Sequence, residues 1–402
     1  MSELSHPDTS DSSLQRAWQV LLVFLRLGLT SFGGPSAHLG YFREAFVERL
    51  RWLDDKAYGD LVALCQFLPG PASSQVGMGI GLMRAGHLGA LAAWIGFTMP
   101  SAIVLILAAL GLTQWGGMPH GLIQGLKLAA VAVVAHAVWG MAQTFCKGLP
   151  ERVLMLLMTV AVLLTPQWPA LVLLFLLLAG LAGYALLRSA PAQPGAAMTV
   201  PLSRRQALFW LLAFAVLLAL AWLPWPDLHA SLAAAFYRAG SLVFGGGHVV
   251  LPLLETEVVQ RGWLDADTFL AGYGLTQAVP GPLFTFAAFL GAAMDAPLGG
   301  WWAGLLALLA IFLPAYLLIV GALPFWEQWR HLAGLRAALQ GVNAAVVGLL
   351  LAALLQQGAL ALRQPLDGVL VLLAWVLLRR HVPPWLVVLL SGLAGLLLQS
   401  WR

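Results

Sequence analysis

The sequence predicts an all-α integral membrane protein made of two homologous helical halves placed in inverted orientation. Three observations carry this. The chain of 402 residues is 60% hydrophobic and only 9% charged, with a mean hydropathy of +0.86, whereas soluble domains run at about 25% charged. The same words then recur in the same order in both halves. Finally, Lys and Arg occupy opposite loops in the two halves, which is the signature of inversion.

The repeated words are long enough to exclude coincidence. Phe24-Leu25-Arg26-Leu27-Gly28 with Phe32-Gly33-Gly34 answers Phe236-Tyr237-Arg238-Ala239-Gly240 with Phe244-Gly245-Gly246. Trp52-Leu53-Asp54 answers Trp263-Leu264-Asp265, and Gln66-Phe67-Leu68-Pro69-Gly70-Pro71 answers Gln277-Ala278-Val279-Pro280-Gly281-Pro282. Through these words the offset is 211 or 212 residues, about half of the chain. Pro100 then answers Pro314, and Gln124-Gly125-Leu126-Lys127 answers Gln340-Gly341-Val342-Asn343. This is an internal duplication.

Apolar segments fall at about 17–42, 57–83, 87–112, 120–146, 151–165 and 168–188, then 205–223, then 230–254, 267–294, 298–323, 334–358, 366–380 and 383–400. Polar residues 1–14 read as a disordered tail without the basic n-region of a signal peptide. The predicted organisation is a first membrane repeat at 15–188, a cytoplasmic linker with an extra transmembrane helix at 189–228, and a second repeat at 229–402. Loop 43–56 carries Arg43, Arg49, Arg51 and Lys56, while its counterpart 255–267 is mostly acidic. Loop 113–119 has no charge, while its counterpart carries Arg330 and Arg336. Two topologies fit. Thirteen full crossings put the basic 43–56 loop outside, against the positive-inside rule. Re-entrant hairpins in the first two segments of each half put it inside and leave the other loops in place, so the charges favour hairpins.

Pro-Gly-Pro in the middle of an apolar segment ends one helix and starts another. In a bilayer such a break is tolerated only where the freed backbone faces protein or a watery cavity. The helix that starts after the break offers free N–H groups and a positive dipole end, suited to an anion. Pro69, Gly70 and Pro71 with Ser73, and Pro280, Gly281 and Pro282 opposite, are therefore candidate binding residues, as are the glycines Gly33, Gly34, Gly245 and Gly246. A packing kink is the alternative for either word taken alone. Gln66 and Gln277 align and offer amide donors; hydrogen bonding to the broken backbone is the competing role.

No acidic residue is expected deep in an apolar span, but Arg26, Arg238 and Lys127 do fall deep. A charge in mid-membrane is a functional candidate by default. Cations without protein counter-ions suggest a bound anion as the counter-charge; snorkelling to an interface is the alternative for the arginines. Asn343 answers Lys127. His38 and His248 flank the Gly-Gly words without aligning, and either could couple protons to transport. The two cysteines, Cys65 and Cys146, read as buried thiols. No metal-ligand spacing, no nucleophile–base constellation and no P-loop word is present, so an enzyme or ATP-driven pump is not expected, nor a cofactor, a metal or a nucleic-acid partner.

Taken together, the Phe-Gly-Gly words with His38 and His248, the Trp-Leu words and the two Pro-Gly-Pro words resemble the chromate ion transporter family in its long two-domain form, over about residues 17–400. The resemblance implies efflux of chromate from the bacterial cytoplasm across the inner membrane, with sulfate as the look-alike anion. It implies sites at Arg26, Gly33, Gly34, Gln66, Pro69, Gly70 and Pro71, and opposite them at Arg238, Gly245, Gly246, Gln277, Pro280, Gly281 and Pro282. The expected partners are the anion, the lipid bilayer and protons as coupling ion, with a homodimer admitted. A dianion leaving an inside-negative cell gains roughly 4.6 kcal/mol per 100 mV, so export needs no ATP. An oxyanion uptake carrier and an anion channel are the competing functions.

Overall fold

The computed structural model describes residues 12–114, 119–165, 169–187, 202–295 and 297–400. The 1–11 part of the predicted tail and the 188–201 part of the linker lie outside the described residues. Helix α1, Ser13–Thr30, opens on a capping box in which Ser12 and Gln15 exchange hydrogen bonds, so residues 13 and 14 belong to the helix rather than the tail. Gly33, with φ +102°, breaks the chain, and Pro35 stands in the first turn of α2, Gly34–Arg43. The repeated Trp-Leu-Asp word is a helix start: the Asp54 carboxylate accepts from Ala57 N at 2.7 Å and opens α3, Asp55–Phe67. α3 ends at Leu68, ahead of the Pro-Gly-Pro turn. α4, Ala72–Gln114, is broken at Ala85 and Gly86 into the two segments the sequence predicts.

The first half continues with α5, His120–Phe145, α6, Leu149–Leu164, and α7, Pro169–Leu186. α8, Arg204–Ala221, is the extra helix, capped by Ser203 and Gln206. The second half repeats the order. α9, Leu228–Ser241, is followed by the Gly-rich break and α10, Val250–Val258. α11, Ala266–Ala278, is capped by Asp265, which accepts from Thr268 N at 2.9 Å as Asp54 does in the first half. After the second Pro-Gly-Pro turn come α12, Phe286–Ala293, α13, Trp301–Ala322, the short α14, Trp326–Trp329, and then α15, Ala333–Ala361, α16, Pro365–Arg379, and α17, Pro384–Ser400.

Among the described residues five helices are long and apolar enough to cross a bilayer: those within Ala72–Leu112, His120–Phe145, Arg204–Ala221, Trp301–Trp329 and Ala333–Ala361. α8 exposes Leu208, Phe209, Leu212 and Val216, and α17 exposes Leu389, Leu393 and Leu397, as helices facing lipid do. By contrast α2, α3, α10, α11 and α12 have 10, 13, 9, 13 and 8 residues, fewer than the ~20 that a full crossing needs.

The two halves interlock. The last helix of each half packs on the long helix of the other, α7 on α15 and α17 on α5. Small residues make this close approach feasible. A Cβ on Gly183 would stand 2.5 Å from the Ala337 carbonyl oxygen, and one on Gly125 2.2 Å from that of Ser391. The helices contribute the same word, Gly180-Leu181-Ala182-Gly183 and Gly392-Leu393-Ala394-Gly395. Both cysteines are free and buried.

Candidate functional site

The breaks in the two halves meet. Gly70 N donates to Val243 O at 2.7 Å, and in the mirrored contact Gly281 N donates to Ser31 O at 3.0 Å. Each Pro-Gly-Pro turn thus closes a freed backbone group on the carbonyl just before the Phe-Gly-Gly word of the other half. Each turn also rests against the proline helix of the other half. Gly281 (φ +101°) would place a Cβ 2.8 Å from Ser101 Oγ, beside Pro100, and Gly70 (φ +123°) would place one 3.3 Å from Ala315 Cβ, beside Pro314. The Gly-rich words touch as well: a Cβ on Gly247 would lie 3.4 Å from Pro35 Cγ.

Gly33, Gly34, Pro35, His248, Gln277 and Gly281 line one small cavity of about 20 Å³ at this junction, room for about one water. α2 after Gly33 and the single turns Gly247–Val249 and Leu283–Thr285 start at its lining, whereas α4 after Pro71 starts outside it; none has an acidic residue in its first turn. Their positive ends are therefore not neutralised locally. Gln277 Nε2 is buried next to the Tyr273 hydroxyl without hydrogen-bonding geometry to it, and has no partner. Ser74 Oγ and Gln75 Oε1 are buried without partners too, while Gln75 Nε2 donates to Pro69 O at 2.9 Å.

The histidines are built into the same contacts. His38 is buried; its Nε2 lies 3.3 Å from Ser31 O, the acceptor of Gly281 N, and its Nδ1 lies 3.4 Å from Ser73 Oγ. His248 Nδ1 pairs with the Tyr273 hydroxyl at 2.7 Å. A Cβ on Gly245 would stand 3.4 Å from Asn343 Oδ1, and one on Gly246 3.8 Å from Met141 Sδ, so Asn343 borders the second Gly-Gly word. Pro280 and Pro282 flank Gly281, partly buried and buried respectively.

The deep cations behave differently from expectation. Arg238 is not free for an anion: its Nε and Nη2 bind Glu257 at 2.7 and 2.6 Å, its Nη1 donates to Ala221 O, and Arg261 joins Glu257 at 3.1 Å. Lys127 is buried and holds Asp267 of the other half at 2.5 Å. A further pair across the halves joins Arg330 to Asp60 at 3.0 Å. Carboxylates thus do enter the interior, and Glu257, Asp267 and Asp60 of this chain supply the counter-charges. The reason is that residues 255–258 continue the buried helix α10, where the charges of that stretch suggested a loop. Arg26 aligns with Arg238 but is exposed on α1, on the face away from Ala17, Val20, Phe24 and Gly28, which pack inward. Gln66 is exposed where Gln277 lines the cavity. Two aligned pairs are therefore not equivalent in space. Sequence reasoning missed Glu257, Gln75, Tyr273 and Ser101; the Glu257–Arg261 spacing of four and the alignment of Pro100 with Pro314 were the available signals.

A helical membrane protein of two homologous halves, joined through broken helices at its centre, belongs to the class of transport proteins built from repeats. The description Chromate transporter matches the chain twice, over residues 18–184 and 230–396, and the chain belongs to that family. It is 27% identical over 367 residues to a chromate transport protein of Cupriavidus metallidurans, covering 89% of this chain and 86% of that one. It is 27% identical over 352 residues to one of Pseudomonas aeruginosa, covering 83% and 79%. It is 24% identical over 388 residues to an uncharacterized transporter of Methanocaldococcus jannaschii, covering 95% and 94%. No solved structure matches the chain.

Proposed function

We propose that this chain is a secondary carrier that exports chromate, with sulfate as a competing tetrahedral dianion, across the inner membrane of a bacterial cell. The observation that carries the reading is the reciprocal pair of hydrogen bonds, Gly70 to Val243 and Gly281 to Ser31, which gathers the interrupted helices of both halves at one point. The anion is held there by backbone N–H groups at Gly33, Gly34, Gly245 and Gly246, by the helix ends after Pro71 and Pro282, and by the Gln277 amide. Arg238 and Lys127 fix the frame around the site through their ion pairs rather than touching the anion.

The two halves lie inverted about this point, with α2–α3 and α10–α11 as parts of re-entrant hairpins. Their short helices support that reading, since none reaches across a bilayer. Membrane potential drives export, because each charge moved outward is worth about 2.3 kcal/mol per 100 mV. A cavity with room for one water is closed to an ion of five heavy atoms, which favours alternating access over a channel. Cells expressing the chain should accumulate less radiolabelled chromate than cells lacking it. Higher accumulation would identify an uptake carrier instead.

A further inference from the structure

Among the described residues, several carboxylates that enter this bundle are held by cations or by more than one donor. Asp60 faces Arg330, Glu257 is held by Arg238 and Arg261, and Asp267 by Lys127. Asp367 accepts from Gln124 Nε2 and from the amides of Arg363 and Gln364. Glu255 differs. It is partly exposed on α10, between the buried Leu254 and Thr256, and its partner is a single neutral amide: Gln357 Nε2 of α15 donates to Glu255 Oε2 at 3.0 Å. Gln357 is fully buried, and its Oε1 has no donor.

Among the described residues no cation forms an ion pair with Glu255. On α9, Arg238 is committed to Glu257, His229 is exposed and Tyr237 donates to Phe214 O. Before α10, His248 pairs with Tyr273, itself on α11, where Asp267 is held by Lys127. α7 brings only the exposed Tyr184. On α15 itself Arg336 is 21 positions from Gln357, roughly 30 Å along the helix, and Arg363, just past its end, is turned to Asp267 at 3.7 Å.

A neutral carboxylic acid resolves both oddities at once. Its O–H would donate to Gln357 Oε1 while Gln357 Nε2 donates to its carbonyl oxygen. An ionised carboxylate here would have the Gln357 amide as its one protein donor and would leave Gln357 Oε1 unpaired. We propose that Glu255 is the proton-carrying residue of the carrier, held as a neutral acid against Gln357 in this closed conformation. The proton comes from bulk water and returns to it, and no bond to the substrate forms. Glu255 stands seven residues beyond His248, which lines the central cavity, about 10 Å along a helix. At that range an ionised Glu255 opposes a dianion in the site, and a protonated one does not. This inference rests on the oxyanion reading above and names its coupling group.

The experiment is chromate flux into liposomes containing the purified chain, wild type against E255Q, across the neutral pH range. Glutamine imitates the protonated acid, so the ratio of variant to wild-type flux should climb severalfold as pH rises; the titration of chromate itself cancels in the ratio. A ratio constant with pH overturns the proposal. Infrared spectroscopy decides it separately from transport. A protonated-carboxyl C=O band at neutral pH, absent in E255Q and displaced in Q357L, supports it. A wild-type spectrum without that band overturns it, even if the liposomes carry chromate. Flux of neither chromate nor sulfate, with the band present, would sink the transport reading and leave the protonation of Glu255 standing.

Discussion

Gly70 N donates to Val243 O at 2.7 Å, tying the first Pro-Gly-Pro turn to the residue that precedes Phe244-Gly245-Gly246 in the second half. Its mirror image, Gly281 to Ser31, ties the halves the other way. A pair of contacts exchanged between equivalent positions is what a duplicated chain makes when its copies face each other, and it places the breaks of both copies at one junction.

The glycines of these turns tolerate no side chain. At φ +123° and +101° an L-residue is strained, by about 1–2 kcal/mol or more, and at Gly281 a methyl group would meet Ser101 Oγ at 2.8 Å. Gly281→Ala should lower the thermal stability of the purified protein and its chromate resistance. Adding Ser101→Ala should restore part of the stability, as read from melting curves in detergent.

The aligned arginines should part company. Arg238→Gln leaves Glu257 with only the half-exposed Arg261, and breaking a buried pair costs about 3–5 kcal/mol. Folded protein recovered from membranes should fall sharply in that variant. Arg26→Gln, on an exposed face of α1, should leave the recovered amount unchanged. Arg238→Met with Glu257→Leu should lose less stability than Arg238→Gln alone.

Gln277 is expected to touch the anion. Gln277→Glu, which adds a negative charge beside the positive helix ends, should abolish chromate flux, whereas Gln277→Leu should raise KM by about tenfold, the worth of a hydrogen bond of roughly 1.4 kcal/mol. Gln66→Leu, on an exposed side chain, should change KM little. Flux assays in liposomes distinguish these outcomes.

The interlock of terminal helices predicts a further sensitivity. A side chain at Gly183 would meet the Ala337 carbonyl oxygen and the Gly341 backbone, at 2.5 and 2.9 Å. Gly183→Val should separate α7 from α15 and lower the melting temperature more than the same change at Gly140, which has open space around it.

Much of this architecture was readable in the chain. The duplicated words located the helix breaks, because a break is a local backbone requirement that leaves a fixed residue type; that Asp54 and Asp265 are helix caps, and that the turns rest beside Pro100 and Pro314, came from the structure. Side-chain direction was not readable. Arg26 and Arg238 occupy the same place in the repeat, yet one points away from the core and the other into it, and Gln66 and Gln277 divide in the same manner. Helical phase and the neighbours of each half decide that, and the neighbours are non-local. The acidic partners stayed hidden for a related reason: a stretch dense in Glu and Arg reads as loop unless its charges pair inside the fold, as Glu257 does with Arg238.

The central claim is that the broken words of the two halves meet and hold the anion between them. Disulfide formation between cysteines at positions 35 and 247, with Cys65 and Cys146 replaced, tests it in intact membranes. The account predicts rapid cross-linking that chromate slows; two cysteines that never join, or that join at the same rate with and without chromate, would contradict it.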